Sequence, residues 1–323
     1  MWLPDGAYGL RWRGVVVRVL VTGAEGYVGR MVVAALRTGG HQPVAMARRR
    51  PATEAVREPP PECADIRIAD LRDAAAVRAA VTGVDAVCHL AGLGRARDSM
   101  TDPLRYFRVN TAGTLTLLEA MADAGVHRIV TASTASIYGS PEVQPMGEQL
   151  PDAPPHPYAS SRLAAELAVD AQAGSGRLTA AVLRLSNIAG GADPDPTRLI
   201  PRALTAALDG TPLAVNGDGA SVRDYLHVRD AAAAFVAALE HLPPLGHSRR
   251  YNIGSGKGSS ILDVAAAVEL VTGRRVPLVH GPAVPEPRTL IVDPSRAAHE
   301  LGWTPSTSDL DSLVRDCWSH RRA

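Results

Sequence analysis

The chain has 323 residues, 46% of them hydrophobic and 21% charged, with 34 Lys and Arg set against 33 Asp and Glu. That length supports one large α/β domain or two moderate ones with a proper buried core. Ordinary apolar content and a net charge near zero exclude disorder as the main state. The same balance argues against a nucleic-acid binder, which needs a basic surplus.

Residues 1–14 mix Trp, Pro, Asp, Gly and Arg without an apolar run, so they read as a loosely ordered extension and not as a secretory signal. A valine-rich strand follows over 15–21 and ends at Thr22 and a cluster of glycines. Over 27–38 the pattern turns helical, with Val28, Met31, Val32, Ala35 and Leu36 on one face, until Gly39 and Gly40 stop it. The order then repeats. Strands are expected at 44–47 and 66–69, a helix at 73–82, a strand at 86–91 and a helix at 110–124. A strand at 128–132, a helix at 158–171 and a strand at 179–185 complete the run. Such alternation with apolar strands means a parallel sheet covered on both faces, so the fold class is doubly wound α/β.

After Asn187 the rhythm loosens. Pro and Gly become frequent, and short helices (201–208, 231–239, 261–272) stand among isolated strands, as in a smaller lobe. The Pro-rich stretch 141–157 reads as a lid or linker. No apolar run approaches the ~20 residues of a membrane-spanning helix. Cys63, Cys88 and Cys317 are far apart with no C-x-x-C pair, the usage of a reduced, cytoplasmic protein. The histidines are scattered without ligand spacing, so no metal site is expected. Lys257 is the single lysine, so an arginine here can stand where another chain has lysine.

Gly23, Gly26 and Gly29 follow the first strand and open the first helix, in the spacing G-x-x-G-x-x-G. A tight turn needs positive φ, a pyrophosphate needs backbone without a Cβ in its way, and the third glycine lets helix and strand pack closely. The helix N-terminus then offers unpaired N–H groups to the anion. An ordinary glycine-rich turn is the plainer reading, but the position at the first βα turn of a long alternating chain favours a dinucleotide site. The acid that usually binds the ribose 2′-hydroxyl, ~20 residues further on, is replaced by Ala47, followed by Arg48, Arg49 and Arg50. A guanidinium can hold a 2′-phosphate by paired hydrogen bonds. The expected cofactor is therefore NAD or NADP with a lean toward NADP; a merely solvated arginine cluster is the other reading.

Tyr158 and Arg162 lie four apart on a helical pattern, which puts both side chains on one face. A tyrosine that takes a proton near neutral pH must be partly phenolate, against a reference value of ~10. A cation ~4 Å away at an effective dielectric of about 20 is worth roughly 4 kcal/mol, enough in size to supply the shift. Upstream, residues 131–139 run from a strand end through Ser133 and Thr134 to Tyr138 and Gly139. Downstream come Arg184 with Asn187, then Arg223 within 217–230, and Arg288 before 290–293.

Together these motifs resemble the extended short-chain dehydrogenase/reductases, and among them the UDP-glucose 4-epimerase-like nucleotide-sugar epimerases and dehydratases. The resemblance covers nearly the whole chain, from 17 to 305, with Arg162 standing where the family has lysine. It implies a Rossmann dinucleotide-binding domain over 15–186, also receiving 225–255, and a nucleotide-sugar lobe mainly over 187–323. On the cofactor side it points to Tyr27 and Val28 beside the glycines and to Asp70 and Leu71 near the adenine. His89, Leu90, Ala91 and Gly92 would line the cofactor after the fourth strand. Asn110 would brace the sheet near the nicotinamide, or else serve as a helix N-cap. Tyr158 and Arg162 would touch the cofactor as well as act in catalysis.

For catalysis the resemblance implies Thr134 as the hydroxyl that bonds the sugar oxygen, with Ser133 just before it, though both also suit an ordinary strand end. Asn187 and Arg223 would hold the diphosphate of a UDP- or dTDP-sugar, Arg288 would contact a phosphate or the ribose, and Thr134 would touch the sugar itself. Two readings of Arg162 stay open: a tolerated replacement in a lysine-poor chain, or a changed or weakened reaction. Ala135 and Ser136 occupy the places where the dehydratases carry an Asp–Glu pair, so elimination lacks its acid and base. The expected function is therefore an NAD(P)-dependent nucleotide-sugar epimerase acting through a transient 4-keto sugar. The alternatives are an NADPH-dependent ketosugar reductase and a non-catalytic dinucleotide sensor. A cytoplasmic homodimer is implied by the resemblance, with no nucleic-acid or membrane partner.

Overall fold

In β1 (Arg18–Thr22) side chains alternate between the two faces of a sheet: Val19 and Val21 join one apolar cluster and Leu20 the other. α1 (Tyr27–Thr38) buries Val32, Val33 and Leu36 against the first cluster and stops at Gly39. β2 (Gln42–Ala47), β3 (Asp65–Ile68), α2 (Ala74–Val81) and β4 (Ala86–His89) follow, α2 being capped by the Asp73 carboxylate. These coordinates are a computed structural model that describes residues 15–48, 63–284 and 286–322. The extension at 1–14 and the arginines at 49 and 50 lie outside the described residues.

α3 (Ala96–Thr101) and α4 (Pro103–Tyr106) come next. A π turn over Phe107–Ala112 carries the chain into α5 (Gly113–Asp123). β5 (Arg128–Thr134) ends in a 3-10 turn over Ala135–Tyr138; α6 (Pro157–Gly174) and β6 (Thr179–Leu185) close this half. Beyond it lie β7 (Asn187–Ala189), α7 (Leu199–Asp209), β8 (Leu213–Asn216), β9 (Val222–His227) and α8 (Val228–Glu240). β10 (Ser248–Ile253), β11 (Gly258–Ser260), α9 (Ile261–Thr272) and β12 (Leu278–Gly281) follow. The last elements are β13 (Thr289–Leu290), α10 (Ser295–Leu301) and α11 (Leu310–Arg322).

The main sheet has seven strands in the order β10-β6-β5-β4-β1-β2-β3. Every pairing in it is parallel. This is the doubly wound arrangement, whose order reverses beside β1, and ligands bind at the carboxyl ends of such strands. α1 and α8 cover one face; α2, α5 and α6 cover the other. The C-terminal lobe has its own core, with Ile200, Leu204, Val264, Val268 and Leu313 buried together. Its small sheet β11-β9-β13, joined by β7, places β7 and β9 beside the main sheet's carboxyl edge.

Some expected boundaries move for physical reasons. β4 ends at His89 because the next two amides, of Leu90 and Ala91, both donate to Thr22 Oγ1 at 3.1 Å. Asn110 is not an N-cap: the helix runs on before it through the π turn, and its side chain is buried. The Pro-rich segment, expected as a lid or linker, is stitched down. Met146 N–H donates to Ile291 O at 2.7 Å, Asp293 N–H donates to Met146 O at 2.8 Å, and Asp152 pairs with Arg184. Among the described residues no helix is long and apolar enough to cross a membrane, and no cluster of His, Cys, Asp or Glu could hold a metal ion.

Candidate active site

The glycine turn is as tight as its spacing demands. Gly23 sits at φ +71°, and a Cβ there would lie 2.9 Å from the Ala91 nitrogen. A Cβ on Gly29 would overlap the Gly23 carbonyl, so β1 and α1 approach only because residue 29 is glycine. α1 starts with no side-chain cap and no acid in its first turn. Its first N–H groups therefore remain available to an anion. Tyr27 donates its hydroxyl to the Gly190 carbonyl across the cleft, and burial pushes its phenol far up. The Arg198 guanidinium lies over the same ring, 5.3 Å from its centre.

A cleft of about 560 Å³ opens between the glycine turn and the second lobe. Thr134, Tyr158, Arg162 and Asn187 line it, together with Gly23, Gly26, Tyr27, Val28, Leu90 and Gly92. Thr134 ends β5, and its hydroxyl accepts from Ser136 N–H at 3.2 Å while donating to Ser136 Oγ at 3.1 Å. Tyr158 enters at the first turn of α6, held between the rings of His156 and Tyr106.

One helical turn on, Arg162 is 6% exposed and folded inward. Its Nη1 donates to the Ala132 carbonyl at 3.2 Å. The missing side chain of Gly92 gives it room, since a Cβ there would overlap Nη2 and lie 2.7 Å from Asn110 Oδ1. Asn110 ties the neighbouring loop down, accepting from Leu93 N–H at 2.8 Å and donating to Leu93 O at 3.1 Å and to Ser161 Oγ at 3.0 Å.

His89 does not face the cleft. It bridges Thr22 and Thr114 hydroxyls at 2.8 and 3.0 Å, and burial, helped by the Arg162 charge, drops its pKa to about 3. Ser133 points away from Thr134, as strand alternation requires, and donates its hydroxyl to Glu166. Glu166 belongs to a buried ion network that sequence reasoning missed. Arg184 grips it from Nε at 3.1 Å and Nη2 at 2.7 Å, while Nη2 also meets Asp152 at 2.8 Å. Tyr138 stacks on that guanidinium, 4.7 Å from its ring centre. Burial opposes the Arg184 charge, but the Glu166 carboxylate outweighs it and holds the guanidinium strongly protonated. The network joins β5, α6, β6 and the Pro-rich segment, and through Ser133 it reaches the residue next to Thr134. Its only sequence signal was a Glu and an Arg on otherwise apolar faces.

The diphosphate candidates come from the C-terminal lobe, and of them Asn187 lines the cleft. Asn187 is exposed at the start of β7. Arg223 and Arg288 are brought together because Val222 N–H donates to Arg288 O at 2.7 Å and Leu290 pairs with Arg223. Neither arginine borders the cleft directly, and Arg223 is turned to Glu286 at 3.2 Å. Asp224, one residue on, is buried and accepts from Ser255 N–H, Gly256 N–H and Ser255 Oγ, fixing the loop after β10. Arg198 and Asp193, paired at 3.2 Å, do line the cleft and were not anticipated.

At the far end, Asp70 is held by Arg72, whose hydrogen bonds drop its pKa to about 2. Leu71 packs on Gly113, where a Cβ would lie 2.9 Å from it. Ala47 ends β2, and Arg48 follows with an exposed side chain. These residues fit a dinucleotide. The glycine cradle is space that a Cβ would fill, and the buried Nε of Arg162 has no hydrogen-bond partner among the described residues. A buried donor of that kind calls for an acceptor, and a ribose hydroxyl is one.

Comparison with known proteins agrees with this geometry. The model of the NAD dependent epimerase/dehydratase family matches residues 19–254. The UDP-glucose 4-epimerase of Azospirillum brasilense is 39% identical over 327 residues, covering 95% of this chain and 92% of that one. A UDP-glucose 4-epimerase structure from Brucella ovis in complex with NAD superposes with a TM-score of 0.87 at 31% identity, covering 94% of this chain and 98% of that one. One from Stenotrophomonas maltophila, with bound NAD and formylated UDP-arabinopyranose, gives 0.85 at 32% identity, covering 95% and 98%. The chain belongs to the NAD dependent epimerase/dehydratase family and is an NAD-dependent nucleotide-sugar epimerase of the extended short-chain dehydrogenase type.

Proposed function

We propose that the protein inverts C4 of a UDP-hexose through a transient 4-keto sugar. The observation that carries this reading is the gathering of Tyr158, Arg162 and Thr134 on one cleft with the glycine turn and Asn187. When bound, the nicotinamide takes the hydride of the sugar carbon and gives it back. Tyr158 removes the 4-hydroxyl proton at its phenol oxygen and later returns it, a general base and then acid. Thr134 orients that hydroxyl by a hydrogen bond. Arg162, fixed by the Ala132 carbonyl, supplies a buried positive charge one helical turn from the phenol and a donor for the nicotinamide ribose. Gly23, Gly26 and Gly29 admit the pyrophosphate, while Leu90 and Gly92 border its path. Asn187, Arg223 and Arg288 hold the sugar diphosphate, with Arg223 exchanging Glu286 for phosphate oxygens. Ser133 acts indirectly, by holding Glu166.

Ala135 and Ser136 form the turn after Thr134 and offer no acid or base for elimination. The test is conversion of UDP-glucose to UDP-galactose, followed by proton NMR with no net change in nicotinamide absorbance. A net consumption of NADPH would instead favour ketosugar reduction, the reading supported by Ala47 and Arg48. Whether NAD or NADP serves is decided beside those residues.

The protein acts as a homodimer through α3 to α6 in this reading. Met100, Leu104, Phe107, Leu115 and Leu167 expose apolar side chains on those adjoining helices and the π turn. Contiguous exposed apolar surface marks an interaction site. Sedimentation of the purified protein tests it.

A further inference from the structure

Between β7 and α7, residues 190–198 border the cleft and are held in shape by their own side chains. Asp193 accepts from Asp195 N–H at 3.0 Å, and Asp195 accepts from Thr197 N–H at 3.0 Å and Thr197 Oγ1 at 2.6 Å. Arg198 closes the set on Asp193 at 3.2 Å. One end is seated on the C-terminal lobe, where Gly190 lies so close to buried His227 that a Cβ would overlap its ring. The other end, Arg198, is the N-cap of α7. A stretch bonded in this way moves as a unit.

The same stretch is tied to the Rossmann half at two places. Tyr27, the first residue of α1 after the turn that ends β1, donates its hydroxyl to Gly190 O, and its ring lies under the Arg198 guanidinium. Arg95, in the loop after β4, reaches Asp195 Oδ1 at 3.2 Å. β1 and β4 are neighbours, and the strand order reverses between them. A dinucleotide's pyrophosphate crosses the sheet edge at such a reversal. The two ties therefore stand on opposite banks of the cofactor's path. As a brace the ion pair is poor, because the Arg95 side chain is more than half exposed and such pairs contribute little to stability. That weakness suits a contact that must open and shut.

We propose that residues 190–198 form a strap over the bound dinucleotide, with the Arg95–Asp195 ion pair as its latch. Shut, the latch keeps the cofactor in place between turnovers; open, it lets the cofactor exchange. Arg95 swings from a fixed base, since its carbonyl accepts from the Tyr106 hydroxyl at 2.6 Å. Release needs only rotation of that side chain, and the bonds inside the strap stay intact.

The inference needs the dinucleotide site but not the C4 chemistry, and the experiment separates them. Full-length protein loaded with radiolabelled NAD is diluted into excess unlabelled NAD, as wild type, Arg95→Ala, Asp195→Asn and the double variant. Asn keeps an oxygen for Thr197 while losing the charge that meets Arg95. Each single variant is expected to lose label about fivefold faster than wild type. The double variant should be no faster than either, as for two halves of one contact. Added salt should quicken release from wild type and leave Arg95→Ala unmoved. Release unchanged in Arg95→Ala, or single effects that multiply in the double variant as separate local damage would, overturns the latch. A protein that holds no NAD overturns the cofactor site with it, whereas failed conversion of UDP-glucose alone contradicts only the C4 reading.

Discussion

The two walls of the cleft are built on different principles. On the Rossmann side, Gly23, Gly29 and Gly92 matter for what they lack, and Thr134, Tyr158 and Arg162 are fixed by strand ends, a helical turn and backbone carbonyls. On the other side, Asn187 lines the cleft from a short strand, while Arg223 and Arg288 stand outside the lining on short strand and coil, Arg223 engaged with Glu286. In the proposed reading the first wall is preorganised for chemistry, whereas the second exchanges the Arg223–Glu286 ion pair for the ligand. Damage to the first should therefore fall on turnover and damage to the second on binding.

The largest effect should come from Tyr158→Phe, which removes the proton carrier while keeping the ring between His156 and Tyr106. Turnover is expected to fall by about 10³-fold with little change in the Kd for UDP, measured by steady-state kinetics and calorimetry. A comparable loss from Arg223→Ala would erase the distinction between the walls. Gly92→Ala comes next: its methyl must displace the Arg162 guanidinium, and turnover should drop by about 10²-fold. In an Arg162→Lys background the same change should cost less, because the shorter side chain vacates the space. Equal losses in both backgrounds would mean that Gly92 does not make room for arginine. Arg223→Ala is expected to raise KM by roughly 10-fold with turnover nearly unchanged, through loss of a charge-assisted contact to the diphosphate.

How far this was legible follows the same division. The alternation of strands and helices, the glycine turn and the Tyr158–Arg162 spacing are local patterns, and the parallel sheet obeys them. The π turn around Asn110 and the helices from 96 to 106 leave no periodic signature. The Glu166–Arg184–Asp152 network joins residues distant in sequence, so nothing local announces it. Arg198 and Asp193 arrive in the cleft only through the path of the loop after β7. Glu166→Gln tests the network. It weakens the hold on a fully buried guanidinium, and stability in urea should fall by about 3 kcal/mol while the remaining folded enzyme keeps its KM.

The smallest effect is electrostatic and belongs to the adenine end. Arg72 holds the Asp70 carboxylate at about 2, below its ordinary value of 3.8. Stability from that shift is present above the unfolded value and fades as pH falls toward the folded one. With the site partly open to solvent, its worth is on the order of 1 kcal/mol. Asp70→Asn should lose nearly all of that at pH 5 and about half of it at pH 3, read from urea midpoints. A gap that stays constant with pH would assign the loss to packing.

The most direct test of the account follows the sugar's own hydrogen. UDP-glucose carrying deuterium at C4 is incubated with the protein, and the recovered UDP-hexose is examined by NMR and mass spectrometry. Removal and return of the hydride within one closed site predicts UDP-galactose with the deuterium still on C4 and no build-up of reduced nicotinamide. Unchanged UDP-glucose, or inverted product whose label has been lost to water, would contradict it.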